Sequence, residues 1–264
     1  MKMSKKYFIS VMLIFFPLAL WAQERSFSIN LEYGAKNERF AFNDPAGRLF
    51  TKSPYNVAEL RWGLVLRWYA SKRLHTEIGA LFTPVLGPIV QYRFPEMGEA
   101  LWLNGYYGSR PQFVIRQFYA PIVLGKPKRF KVSAGPFAGL SLQSHRNNFT
   151  SVTYREYGGF TTDGQGGRRP EQINSEETTR LPNSTTYAIE TGAHLNAFFG
   201  SRWHVRYQGG WQWGIGTLLQ SDIAYSSSLD PTLNRATVTS NGSGFAHGLT
   251  VGYMFGQWRV STPR

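Results

Sequence analysis

The chain has 264 residues, no cysteine, 27 glycines and 16% aromatic residues, and carries a formal net charge of +13. Without cysteine, neither disulfides nor thiolate metal centres contribute to the fold. The basic balance suits anionic lipid head groups or an acidic protein surface, and the absence of any recognised binding fold argues against nucleic acid.

At the N-terminus, Lys2, Lys5 and Lys6 precede an apolar run from Tyr7 to Leu20, which is followed by Trp21 and Ala22. A basic, apolar, small-residue order of this length reads as a secretory signal peptide over residues 1–22, leaving 23–264 as a single domain. No later stretch is apolar for long enough to form a membrane helix. An exported chain that crosses a membrane without helices must close its sheet into a barrel, because lipid cannot satisfy an open sheet edge.

The remaining sequence alternates with a period of two, the signature of strands lying between unlike environments. Phe27, Ile29, Leu31 and Tyr33 alternate with Ser28, Asn30 and Glu32. After a polar stretch, Leu60, Trp62, Leu64, Leu66 and Trp68 alternate with Glu59, Arg61, Gly63, Val65 and Arg67. A third segment begins at Leu74 with His75 and Glu77 on its polar face, and Pro84 and Pro88 mark its upper end as bulge or loop. A loop over about 94–111 leads to a fourth segment, 112–124, in which apolar residues occupy nearly every position and neither face can be assigned. The fifth sets Phe130, Val132, Ala138, Leu140 and Leu142 against Lys131, Ser133, Phe137 and Gln143. A long polar stretch, 144–185, reads as flexible loop. It is followed by a hairpin in which Tyr187, Ile189, Leu195, Trp203, Tyr207, Trp211 and Trp213 oppose Glu190, His194, His204 and Arg206. A second polar loop, about 217–243, precedes the last segment, ending at Tyr253 and Phe255.

Eight such segments, joined alternately by short turns and long loops, predict an all-β fold. The expected form is an eight-stranded antiparallel transmembrane β-barrel with short periplasmic turns and long external loops. The aromatic residues then face lipid, and the polar face lines the lumen. On that inner face lie Glu32, Glu59, Arg61, Arg67, Glu77, Lys131, Glu190, His194 and Arg206, with His75 and His204. Eight strands enclose a space that side chains alone fill, so these charges are expected to pair as a network that plugs the lumen rather than to line an open pore. Catalysis by Glu59, Glu77 and Glu190 is disfavoured because the interleaved arginines make ion pairing the simpler account. His194 and His204 without a third ligand are a weak metal signal. Loop aromatics, among them Phe40, Phe42, Trp102, Tyr106, Tyr107, Tyr154, Tyr157 and Phe160, serve equally well as a binding surface or as a lid folded over the mouth.

Two stretches, Tyr119-Ala120-Pro121-Ile122-Val123-Leu124 and Ser133-Ala134-Gly135-Pro136-Phe137-Ala138-Gly139, resemble the PorT-type outer-membrane β-barrel family of Bacteroidota. In that family a Pro-aliphatic strand leads through a basic turn into a Gly-Pro-aromatic strand. Tyr119 stands where the family usually carries an acidic residue. The resemblance implies a multi-pass protein of the outer membrane, surrounded by lipid and lipopolysaccharide and needing no cofactor. It also implies a non-enzymatic role in envelope structure or interaction, in its sharpest form as an accessory of a protein-secretion apparatus. A narrow channel or transporter, and a membrane-embedded lipid- or peptide-processing enzyme, are the alternatives.

Overall fold

The computed structural model describes residues 26–51, 59–71, 73–86, 90–94, 98–99, 106–126, 130–144, 150–162 and 167–255. The expected leader, the tail from residue 256, the basic turn at 127–129 and Trp102 lie outside them. Eight long strands form the barrel: β1 (Ser26–Glu38), β2 (Glu59–Tyr69), β3 (Leu74–Leu86), β4 (Tyr106–Tyr119), β5 (Phe130–Ser144), β6 (Thr185–Phe199), β7 (Trp203–Ile215) and β8 (Gly244–Phe255). Every pairing is antiparallel between chain neighbours. β8 returns to β1, with Phe27 opposite Phe255 and Glu32 opposite Thr250, and the circle closes.

The period-two pattern places the side chains. On β2, Leu60, Trp62, Leu64, Leu66 and Trp68 point outward and are exposed, while Glu59, Arg61, Val65, Arg67 and Tyr69 are buried. Leu64 is 61% exposed and Arg67 is 0% exposed. A water-soluble fold cannot hold that inversion across all eight strands. It is the pattern of a transmembrane barrel of the outer-membrane type, whose apolar exterior is solvated by lipid. Near the short turns the exterior carries paired aromatic rings: Phe27 on Phe255 at 5.2 Å, Phe130 on Phe199 at 5.5 Å and Trp203 against Tyr253 at 5.1 Å. The exposed Arg202 donates to the Tyr253 hydroxyl at 2.8 Å there, as suits a head-group layer.

The structure settles one boundary, placing a bulge at the upper end of the third segment, and corrects two. β3 continues through Pro84, and its register with β4 shifts between Pro84 and Leu86, so the proline sits at a bulge inside the strand. β4 begins at Tyr106 rather than at residue 112, which shortens the preceding loop. β4 also stops at Tyr119; after Ala120 and Pro121 a separate strand, Ile122–Lys126, pairs with the first part of β5.

The largest correction concerns the long loops. Residues 150–162 and 168–180 form a hairpin, and the 217–243 stretch supplies two further strands, Leu219–Ser227 and Asn234–Ser240. With Ala41–Asn43 these make a five-stranded antiparallel sheet at the long-loop end. Its inner side has its own core of Phe40, Leu49, Tyr92, Ile173, Leu181, Leu219, Ile223, Tyr225 and Val238, joined to the barrel through Val85 at the top of β3. Phe42 and Tyr157 pack against that core. The expected flexible loops are therefore a folded cap. Asp44 staples it, accepting from the Tyr225 hydroxyl at 2.9 Å and from the Leu49 backbone N–H at 2.7 Å. Burial, and then the hydrogen bond to Asp44, push the Tyr225 phenol up from its ordinary range.

Two outcomes follow from these placements. Leu64→Arg is expected to cost about 2–4 kcal/mol in lipid-vesicle refolding, and unchanged stability would contradict the facing of β2. Because Tyr225 holds its proton above the unfolded value of about 10, its contribution to the cap is complete below that pH and is lost as pH rises through the raised folded value. Near-ultraviolet dichroism in urea should therefore show the cap weakening above about pH 10. Tyr225→Phe should lower cap stability by about 1 kcal/mol at neutral pH and remove that alkaline step.

Candidate functional site: a charge network across the lumen

The inner faces of the strands bring buried charges together at mid-barrel. Glu32 on β1 accepts from Arg116 Nη1 at 2.6 Å and from Gln208 Nε2 at 3.1 Å, with Arg61 Nη2 at 3.3 Å and Arg206 Nη2 at 3.7 Å. Glu77 on β3 accepts from Arg67 Nε at 2.7 Å and from Arg206 Nη1. Glu190 on β6 accepts from Arg116 Nε at 2.8 Å and from Gln112 Nε2 at 3.3 Å. Arg206 also donates to Thr250 Oγ1 at 3.0 Å and lies 4.3 Å above the Phe118 ring.

Arg67 and Glu77 are cross-strand neighbours, but other contacts of the network span the lumen. Arg206 leaves β7 and meets Glu77 on β3, four strands away by either route around the closed barrel. Arg116 holds Glu32 with one edge of its guanidinium and Glu190 with the other, which its planar fork of donors allows and a lysine could not reproduce. Reaching Glu190 takes Arg116 past β5, where Gly139 is in register with both residues. A Cβ on Gly139 would fall 2.8 Å from Arg116 Cγ and 2.7 Å from a backbone oxygen, so glycine there clears the path.

Toward the cap, Lys36 Nζ donates to Glu38 at 2.9 Å. Glu59 and Arg110 lie beside them, lining a crevice too tight to hold a small ligand. Toward the short turns, the plug becomes aromatic. His75 stacks on Phe118 at 4.8 Å and meets His194 edge-on at 5.7 Å, and Phe118 stacks on Phe137 at 5.1 Å. Lys131 Nζ sits 5.0 Å over the Phe198 ring, and His204 packs against the same ring at 5.7 Å.

All nine inner-face residues read from the sequence are buried in the lumen. Glu32, Arg61, Arg67, Glu77, Glu190 and Arg206 belong to the central network. Glu59 lies nearer the cap, and Lys131 and His194 lie in the aromatic layer below. His194 and His204 are not opposite one another across their hairpin: His194 faces Gln208, and His204 faces Phe198. Among the described residues no three His, Asp or Glu side chains converge as metal ligands. Of the loop aromatics, Phe40 is buried in the cap and Phe42 and Tyr157 pack against its core, whereas Tyr154 and Phe160 stand on its outer side.

Sequence reading missed Arg116, the residue that bridges two of the three central acids. It also missed Gln112 and Arg110 on the same strand, and the Lys36–Glu38 pair at the end of β1. The outward residues Phe113 and Ile115 frame the inward Val114 and, further on, the inward Phe118. Apolar residues thus fall on both sides of β4 and hide its period. The clue that remained was Arg116 itself, a lone charge in an apolar run.

No family model matches the chain, and no curated protein matches it. Among solved structures, the outer membrane protein OprG from Pseudomonas aeruginosa is similar over 88% of this chain and 97% of its own, at 11% identity and a TM-score of 0.42. A major outer membrane protein from Thermus thermophilus aligns over 88% of this chain and 100% of its own, at 11% identity and a TM-score of 0.42. The outer membrane protease OmpT from Escherichia coli aligns over 89% and 96%, at 8% identity and a TM-score of 0.26.

Glu32 faces three arginines, so Glu32→Gln strands more charge than any other single neutralisation in the lumen. Its expected cost is about 3–5 kcal/mol in urea unfolding from detergent, well above that of Glu176→Gln on the exposed side of the cap. Equal effects of the two changes would contradict the network.

Proposed function

We propose that this protein is a sealed, non-enzymatic barrel of the outer membrane that acts in envelope structure or interaction. The observation that carries this reading is the ion-paired layer of Glu32, Glu77 and Glu190 with Arg67, Arg116 and Arg206, which joins opposite walls of the lumen. A folded cap at the long-loop end adds to it. Each of the three central acids is held by at least one arginine, which favours a scaffold over a narrow channel and over a hydrolytic cleft. The resemblance of 119–124 and 133–139 to PorT-type barrels of Bacteroidota adds an accessory role in a protein-secretion apparatus, with the short-turn rim toward the periplasm. A secretory leader over residues 1–22 accords with that address.

Purified protein in planar bilayers is expected to show no unitary conductance, whereas Arg116→Ala combined with Glu32→Ala should produce steps. Steady conductance from the unmodified protein would overturn the sealed-scaffold reading in favour of transport.

A further inference from the structure

The outer wall carries a polar feature near the long-loop end that neither the plug nor the cap uses. On β8, His247 points outward between Phe245 and Leu249, which are 42% and 46% exposed. Its imidazole lies 6.2 Å from the Phe245 ring and 6.2 Å from the Tyr207 ring. Among the described residues it has no hydrogen-bond partner. Its cross-strand neighbours are Ala35 and Gly209, so small residues flank it on both sides. A Cβ on Gly209 would fall 3.4 Å from the Phe245 ring and 3.8 Å from His247 Cβ, so glycine keeps a notch open beside the imidazole.

A polar side chain that faces lipid is costly unless something satisfies it. Elsewhere on the outer wall the protein does so itself. Thr76 Oγ1 donates to Gln117 Oε1 at 2.7 Å, and Gln117 Nε2 donates to His75 O at 3.1 Å. The surroundings of His247 are different. Toward the cap, the next outward positions on β1 are Asn37, partly buried opposite Phe245, and then Arg39, exposed, whose backbone N–H donates to Ser243 O at 2.7 Å. Among the described residues neither of these side chains makes a hydrogen bond or an ion pair. His247, Asn37 and Arg39 thus form a polar column about 14 Å long at the usual strand rise. That is long enough to run from a head-group layer into the acyl chains. No acid occupies an outward position on β1, β7 or β8.

We infer that this column is a binding site for one phosphorylated, multiply acylated lipid of the outer leaflet, of the lipid A class. Arg39 pairs with its phosphate, which the guanidinium fork of donors suits. Asn37 and His247 take the ester, amide or hydroxyl groups at the tops of its acyl chains, since an amide and an imidazole can each donate or accept. One chain then lies in the notch over Gly209. A second copy of this chain is the poorer occupant. Two barrels in one membrane meet about an axis along the membrane normal, which would set Arg39 against Arg39 at the same depth. The site is on the outer wall, so it holds whether or not the lumen is sealed.

The test is native mass spectrometry of the full barrel in detergent, titrated with diphosphoryl lipid A, its dephosphorylated form and phosphatidylglycerol. Diphosphoryl lipid A is expected to bind one per barrel and to displace phosphatidylglycerol. Arg39→Ala and His247→Leu should each raise its apparent Kd by about tenfold. Arg202→Ala, at the opposite rim, should leave it unchanged. Heat-dependent gel migration checks that each variant is folded, and Asn37→Ala gives an independent variant of the same column. No binding, equal binding of the dephosphorylated form, an equal loss in Arg202→Ala, or full binding by the column variants overturns the proposal. Equal or tighter binding of phosphatidylglycerol would assign the column to anionic phospholipid in general and also overturn it. Dimers in sedimentation that His247→Leu abolishes would assign it to a second copy, with the same consequence.

Discussion

Eight strands leave an interior that side chains alone fill, and a charge placed there must find its opposite inside the same narrow space. Glu32 and Glu77 are each shared between strands that do not touch, and Glu190 is held past β5 by Gln112 and Arg116 of β4. Arg116 and Arg206 then draw the walls together across the lumen. The outside of the barrel can be apolar because the backbone is satisfied by closure, and the inside can be ionic because each central acid is held by an arginine. Each half of the design depends on the other. An apolar interior would leave little to fix the register of strands against lipid on their other side, whereas Arg116 reaches Glu190 only where Gly139 stands between them.

The layers above and below extend the same logic with different chemistry. Near the short turns, stacked rings of His75, Phe118 and Phe137 fill the space with little charge. Near the mouth, the Lys36–Glu38 pair meets a cap whose core is apolar and whose staple is the Tyr225–Asp44 contact. The protein is thus closed at three levels along its axis. What remains available for interaction is the outer side of the cap and the rim around the short turns, and both carry exposed apolar side chains such as Tyr154 and Leu124.

The barrel was legible in the sequence because lipid and lumen impose opposite demands on alternate residues. Segments such as Leu60 to Trp68 leave no ambiguity. The inner-face charges were legible for the same reason. β4 was not, since Val114 and Phe118 fill the lumen with apolar side chains and erase the contrast across the strand. The cap was also hidden. Its strands alternate, but their outer face meets water and their inner face mixes Ile173 and Ile223 with Ser175, Glu177 and Ser221, so a polar stretch looked like loop. Pairing partners far apart in sequence, such as Asn43 with Thr237, leave no local trace. The break at Pro121 was visible as a motif, but its place beside the end of the barrel pairing depends on where β3 begins, which only the register reveals.

The most direct test of the central claim is a double-mutant cycle on Arg206 and Glu77, whose contact crosses the lumen from β7 to β3. Unfolding free energies would be measured for Arg206→Met, Glu77→Gln and the pair together. A cross-lumen ion pair predicts that each single change is costly and that the second change, made on top of the first, recovers part of the loss, with a coupling of roughly 0.5–3 kcal/mol. Additive costs would mean that the two charges do not hold the walls together, and would contradict the account of a plugged, internally braced barrel.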